Sequence, residues 1–168
     1  MRATAIPHTI ILGTCLLTLT LAARTPDSKF EAHATGARTL TLRGAAEFGP
    51  VQGNAGEGPF VITLGATSSS GAVLFTLKDG SRPKPGVYRV SSDPSKGVQA
   101  LVVTGSPTRS TGAYRAQGGT LTVTRSDSTH LEGRFTIEAV GFDATNPDNE
   151  EQELTVFGNF NAEGGRPS

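Results

Sequence analysis

Apolar and polar positions alternate with a period of two through most of this chain. The pattern is clearest between Gly118 and Gly141, in the stretch GGTLTVTRSDSTHLEGRFTIEAVG. Leu121 and Val123 fall on one face there, and Thr120, Thr122 and Thr124 on the other. After a break, Leu131, Gly133, Phe135, Ile137 and Ala139 alternate with Glu132, Arg134, Thr136 and Glu138. Such alternation sets one face of a strand against a core and the other in water. Thr, Val, Ile and Phe suit a pleated, half-buried surface. Between the two runs, Arg125-Ser126-Asp127-Ser128-Thr129-His130 reads as a polar turn, because Asp and Ser side chains bond nearby backbone amides.

The same period recurs on both sides. Leu40, Leu42, Ala46 and Phe48 form a first segment; Phe60, Ile62 and Leu64 a second; Val73, Phe75 and Leu77 a third. Val87–Val90, Val98–Thr104 and Ala113–Ala116 follow, and Leu154, Val156 and Phe160 close the chain. Leu101-Val102-Val103 is a continuous apolar run and predicts a strand buried on both faces. QGNAGEGP, GATSSSG, RPKPG, GSPTRSTG and DATNPDNEEQ are loops by composition. No segment repeats apolar residues every 3.6 positions over three turns, so no helix is expected. Short strands at regular spacing, punctuated by 21 Gly and 10 Pro, predict an all-β fold. The architecture expected is an antiparallel β-sandwich of about eight strands, with an up-and-down β-barrel as the alternative.

The N-terminus stands apart from this pattern. Met1-Arg2 is a short positive start, IILGTCLLTLTL is an apolar run, and Ala22-Ala23 supplies small residues for cleavage. That order predicts a secretory signal peptide over residues 1–23. The run is shorter than the ~20 apolar residues a membrane span needs, so no transmembrane span is expected after cleavage. Cys15 allows a second reading, a lipid anchor, since Leu12 suits a lipobox. Thr14 directly before it does not, and the apolar run continues well past it. The remaining divisions are a flexible polar leader over 24–37, the β-sandwich domain over 38–163 and a disordered tail over 164–168. Export places the protein in the periplasm, cell envelope or extracellular space.

GTLTVTRSDSTHLEGRFTIEA, from Gly119 to Ala139, and LTVFGNFNA, from Leu154 to Ala162, resemble secreted or lipoprotein-type β-sandwich proteins of bacteria. In those a strand like GTLTIT precedes one like GTFSFTA, and a closing strand ends near NGTF. KPGVYRV upstream fits the same layout, and the resemblance covers about half of the mature chain. It implies the sandwich fold and an envelope location, and it brings no activity, because that family is largely of unknown function.

Composition removes several chemistries. Cys15 is the single cysteine, so the mature chain has no disulfide, thiol nucleophile or cysteine-ligated metal. After cleavage 14 basic residues face 15 acidic ones, which argues against nucleic acid as a partner. The charges are segregated: Lys78–Arg125 holds eight basic and two acidic residues, and Glu132 to the end holds eight acidic and two basic. The expectation is that these segments neighbour each other and partly neutralise. Two patches that recruit a partner are the sharper alternative.

Candidate sites are few. His130 with Asp127 and Ser126 or Ser128 invites a Ser/His/Asp reading, but a triad depends on spatial roles and a supporting oxyanion site that a polar turn does not provide. The glycines of GNAGEG precede a strand with no Lys-Ser/Thr pair, unlike a phosphate loop. The acidic loop is the one ligand candidate, with Asp143, Asp148 and Glu150 as possible calcium ligands beside Asn146, Asn149, Glu151 and Glu153. Its spacing lacks the glycine of an EF-hand, and a solvated loop is the plainer reading. No Trp is present, and Tyr88 and Tyr114 are expected to border the core with wetted hydroxyls. No cofactor or catalytic residue is assigned. The sequence thus reads as an exported, non-catalytic binding or structural module whose partner is another envelope or extracellular protein. A small-ligand carrier with a barrel cavity and a secreted hydrolase are the alternatives.

Overall fold

The computed structural model describes residues 29–53, 56–65, 70–106, 109–146, 148 and 150–164. The expected signal peptide, Cys15 within it and residues 165–168 of the expected tail lie outside these. The fold is an all-β antiparallel sandwich. Ten strands occur among the described residues: β1 Lys29–Gly36, β2 Leu40–Gly44, β3 Ala46–Gly53, β4 Gly56–Leu64, β5 Gly71–Leu77, β6 Gly86–Arg89, β7 Gln99–Ser106, β8 Arg109–Ser126, β9 His130–Asp143 and β10 Gln152–Gly164.

One hydrogen-bonded sheet folds over on itself. Its first layer runs β2-β1-β10-β9-β8-β6 and its second β3-β4-β5-β7-β8. β8 belongs to both: Leu101–Ser106 of β7 pair with its first half, and Gly86–Arg89 of β6 with its second. The change of partner falls between Arg115 and Thr120, and within that stretch the register with β9 shifts by one residue between Ala116 and Gly118. Gly119 has φ +126°, and a Cβ there would lie 2.1 Å from the Thr136 carbonyl oxygen. Only glycine turns this corner without strain. The other corner is laced by two parallel pairs alone, Glu163 with Glu47 and Gly164 with Phe48. All other strand pairings are antiparallel.

The inward residues foreseen from alternation meet between the layers. Phe75 of β5 stands edge-on to Phe135 of β9, ring centroids 5.3 Å apart. Leu121, Val123, Ile137, Leu154, Val156 and Phe160 are buried around them. Gly133 makes room for Phe160, whose ring carbons would sit 2.8 and 2.9 Å from a Cβ at that position.

Four expectations are corrected. Residues 29–36 of the expected flexible leader form β1, paired with β10 along its whole length and with β2, and they bury Phe30, Ala32 and Ala34. The cause is that Phe30-Ala32-Ala34 is itself an alternating apolar set, one built mainly from alanine. QGNAGEGP is no free loop: Gln52 pairs with Glu57 and Gly53 with Gly56, extending the β3–β4 hairpin. Ala113–Ala116 and the first run of the Gly118–Gly141 hairpin are one strand, β8. Leu101-Val102-Val103 is buried on one face only: Val102 is fully buried, and Leu101 is 40 % exposed on the outer face.

Candidate functional site

Outward-facing residues of the first layer form the main candidate surface. The strand register lines them up in two rows across the sheet. One row runs Arg89, Thr120, Thr136, Phe157, His33, Thr41; the other runs Val87, Thr122, Arg134, Asn159, Glu31, Arg43. Each row crosses six strands, about five inter-strand spacings or ~24 Å. The central part forms an open depression of about 480 Å³. Thr120, Thr122, Arg134, Thr136, Phe157 and Asn159 contribute to its lining, with Glu31 and His33 at one side.

Phe157 is 44 % exposed, because Leu154, Val156 and Phe160 take the inward positions of β10. Its ring lies 5.7 Å from that of His33, tilted by 39°. The His33 Nδ1 is 3.3 Å from the Thr41 hydroxyl, and its Nε2 is 3.8 Å from Glu31 Oε1. Glu31 is committed elsewhere: Arg43 Nη2 donates to its Oε1 at 2.6 Å. That bond holds the Glu31 carboxyl below the usual carboxylate range. The Thr41–His33–Glu31 line therefore has its carboxylate neutralised by an arginine, and it stands open on a sheet face.

Arginines divide into two groups. Arg38, Arg43, Arg82, Arg115 and Arg125 each bond a carboxylate or a backbone carbonyl. Arg134, Arg89 and Arg109 make no side-chain bond among the described residues, and the first two project from this one face. Arg125 bridges to Glu132 at 3.2 Å, so the segregated charges of the sequence neutralise in part where β8 meets β9.

The sequence-derived candidates lie elsewhere. Asp143, proposed for calcium, is 2 % exposed and faces inward. Its Oδ1 accepts from Arg38 Nη2 at 3.0 Å, the Thr145 amide at 2.8 Å and the Thr145 hydroxyl at 2.7 Å. Its Oδ2 accepts from the Tyr114 hydroxyl at 3.2 Å and pairs with Arg38 Nε. Burial pushes this carboxyl up, but Thr145, Arg38 and Tyr114 together outweigh burial and hold it below the ordinary range. Asp148 and Glu150 are exposed on the loop that follows. The structure does not gather the three, and among the described residues no group of three His, Cys, Asp or Glu could hold a metal ion. Tyr114 is also corrected: it is fully buried, and its hydroxyl meets Asp143 rather than water. Tyr88 donates to the Lys84 carbonyl at 2.7 Å.

Around His130 the structure shows a turn. Asp127 Oδ1 accepts from the amides of Thr129 and His130 at 2.9 and 2.8 Å, and Arg125 Nε donates to Oδ2 at 2.9 Å. These bonds, the two amides foremost, hold Asp127 well below the usual carboxylate range. His130 Nδ1 meets the Thr129 hydroxyl at 2.8 Å, and among the described residues no serine hydroxyl bonds it.

No family model matches the chain, and no curated protein or solved structure is significantly similar to it. Alternation in the sequence placed Thr120 and Thr122 on an outward face but not their neighbours across the sheet. Glu31 and His33 were assigned to the leader. Phe157 carried a readable mark, as a large apolar residue out of phase with Leu154, Val156 and Phe160.

Proposed function

We propose that this chain is an exported, non-catalytic binding module whose contact surface is the outer face of the β2-β1-β10-β9-β8-β6 layer. Export is the inference from residues 1–23. The observation that carries the choice of surface is the exposed Phe157 at the centre of a polar depression, beside an arginine without a partner among the described residues. Exposed aromatic and arginine side chains are the residues that dominate contact energies. An outer surface is favoured over an interior because Phe75, Phe135, Tyr114 and Ile137 fill the space between the layers. The partner is a component of the envelope or of the extracellular surroundings.

Co-sedimentation of the purified mature chain with an envelope fraction of its source cells tests the surface. Phe157→Asp and Thr120→Glu should abolish co-sedimentation, and Thr63→Lys on the outer face of the other layer should leave it intact. If Thr63→Lys abolishes it while the first two variants still sediment, the surface is wrongly placed.

A further inference from the structure

We infer that the Arg134–Phe157 depression takes an anionic polysaccharide, a glycan whose units carry carboxylates of the uronate type. This rests on the proposed binding face and names its ligand.

The chemistry of the depression is unlike that of a protein interface. Protein interfaces have an apolar core in a polar rim. Here the centre is three threonine hydroxyls and the Asn159 amide, with Phe157 as the exposed large apolar side chain and the buried Phe135 beneath. Hydroxyls and a primary amide both donate and accept, which matches a ligand that is itself covered in hydroxyls. Phe157 gives one apolar platform for the C–H face of a sugar ring.

Charge selects the anionic class. Within the depression Glu31 is already paired with Arg43 at 2.6 Å, so it repels an incoming anion little. Arg134 presents its guanidinium without a carboxylate among the described residues, flanked in register by Thr122 and Asn159. A planar guanidinium binds a carboxylate through two parallel N–H donors. Arg89, at the far end of the Thr120 row, adds a second cation on the same face. Shape agrees with an extended ligand. The rows run in continuous register across six strands, and one side chain is offered every ~4.8 Å, a spacing close to the length of one pyranose unit.

The test is isothermal titration of the mature chain with polygalacturonate and alginate, against a neutral glucan and poly-glutamate. The uronate polymers should bind at low ionic strength, more weakly as salt rises, and the neutral glucan should not. Arg134→Gln should weaken binding at least tenfold and Phe157→Ala severalfold, with melting temperatures unchanged. Arg109→Gln, away from the face, should bind as the parent does. Three results overturn the inference: no binding to either uronate polymer, equal binding by Arg134→Gln, or poly-glutamate binding as tightly as the uronates. If co-sedimentation with the envelope fraction still depends on Phe157 while uronates fail, the face stands and only its ligand is wrong. If both fail, the proposed function falls as well.

Discussion

Replacing Asp143 with alanine removes the acceptor on which donors from three segments converge. Arg38 comes from the β1–β2 connection, Tyr114 from β8, Thr145 from the turn after β9, and Asp143 itself ends β9. Three donors converge on Oδ1 and two on Oδ2. In Asp143→Ala the Tyr114 hydroxyl stays in a fully buried position with no acceptor in place of the lost one. A buried donor left unsatisfied costs about 1–3 kcal/mol. Arg38 loses its carboxylate while its side chain remains only 30 % exposed. Breaking a buried ion pair from one side costs about 3–5 kcal/mol. The terms overlap, so about 4 kcal/mol is expected in all, a large share of the ~5–15 kcal/mol that holds a domain folded. Urea unfolding should show a lower midpoint with an unchanged m value. The melting temperature should fall by on the order of 10 °C. Tyr114→Phe should cost only ~1 kcal/mol, because it removes one neutral donor and strands no charge. A loss below ~1 kcal/mol in Asp143→Ala would refute the reasoning and show the cluster to be solvated in solution.

Other consequences follow from the same geometry. Asp143 has a lowered folded-state pKa, so its contribution is complete above the unfolded value near pH 4 and is lost as pH falls through the folded value; acid unfolding of Asp143→Asn should therefore show a shallower loss of stability below about pH 4 than the parent. Gly119→Ala places a Cβ against the Thr136 carbonyl at φ +126° and should lower stability by more than ~2 kcal/mol in thermal melts. Removing residues 1–36 should abolish cooperative melting, because β10 loses its β1 partner and Phe30 leaves the core; a truncated chain that melts like the parent would restore the leader reading.

Much of the inner architecture was legible, and the reason is specific. Leu121, Val123, Phe135, Ile137 and Phe75 are large, and period-two spacing of large apolar residues has one structural meaning. β1 escaped because its inward set is Phe30 with two alanines. Small size is required there: Ala32 lies against Gly158, where an added Cβ would sit 2.6 Å from the alanine Cβ. A core built from close backbone approach leaves little hydrophobicity to read. The extended β8 was split for a related reason, since its glycines read as punctuation when they in fact allow the strand to change partners at Gly119.

The candidate site was illegible for a different cause. Arg134 and Glu31 lie more than 100 positions apart in the chain, and they share a surface only because β1, β10 and β9 pair in one register. Neither residue is unusual in its own strand. Outward positions also answer to few folding constraints, so their identity records little about the fold and the fold predicts little about them. That independence is useful. The rows centre on β8, β9 and β10, where β9 is paired along its length with β8 on one side and β10 on the other. A face built on strand centres is already ordered before it binds, and a ligand loses none of its affinity to arranging loops. Substitution at Arg134 or Phe157 therefore leaves the inner packing in place, and a loss of binding in those variants would report on the surface itself.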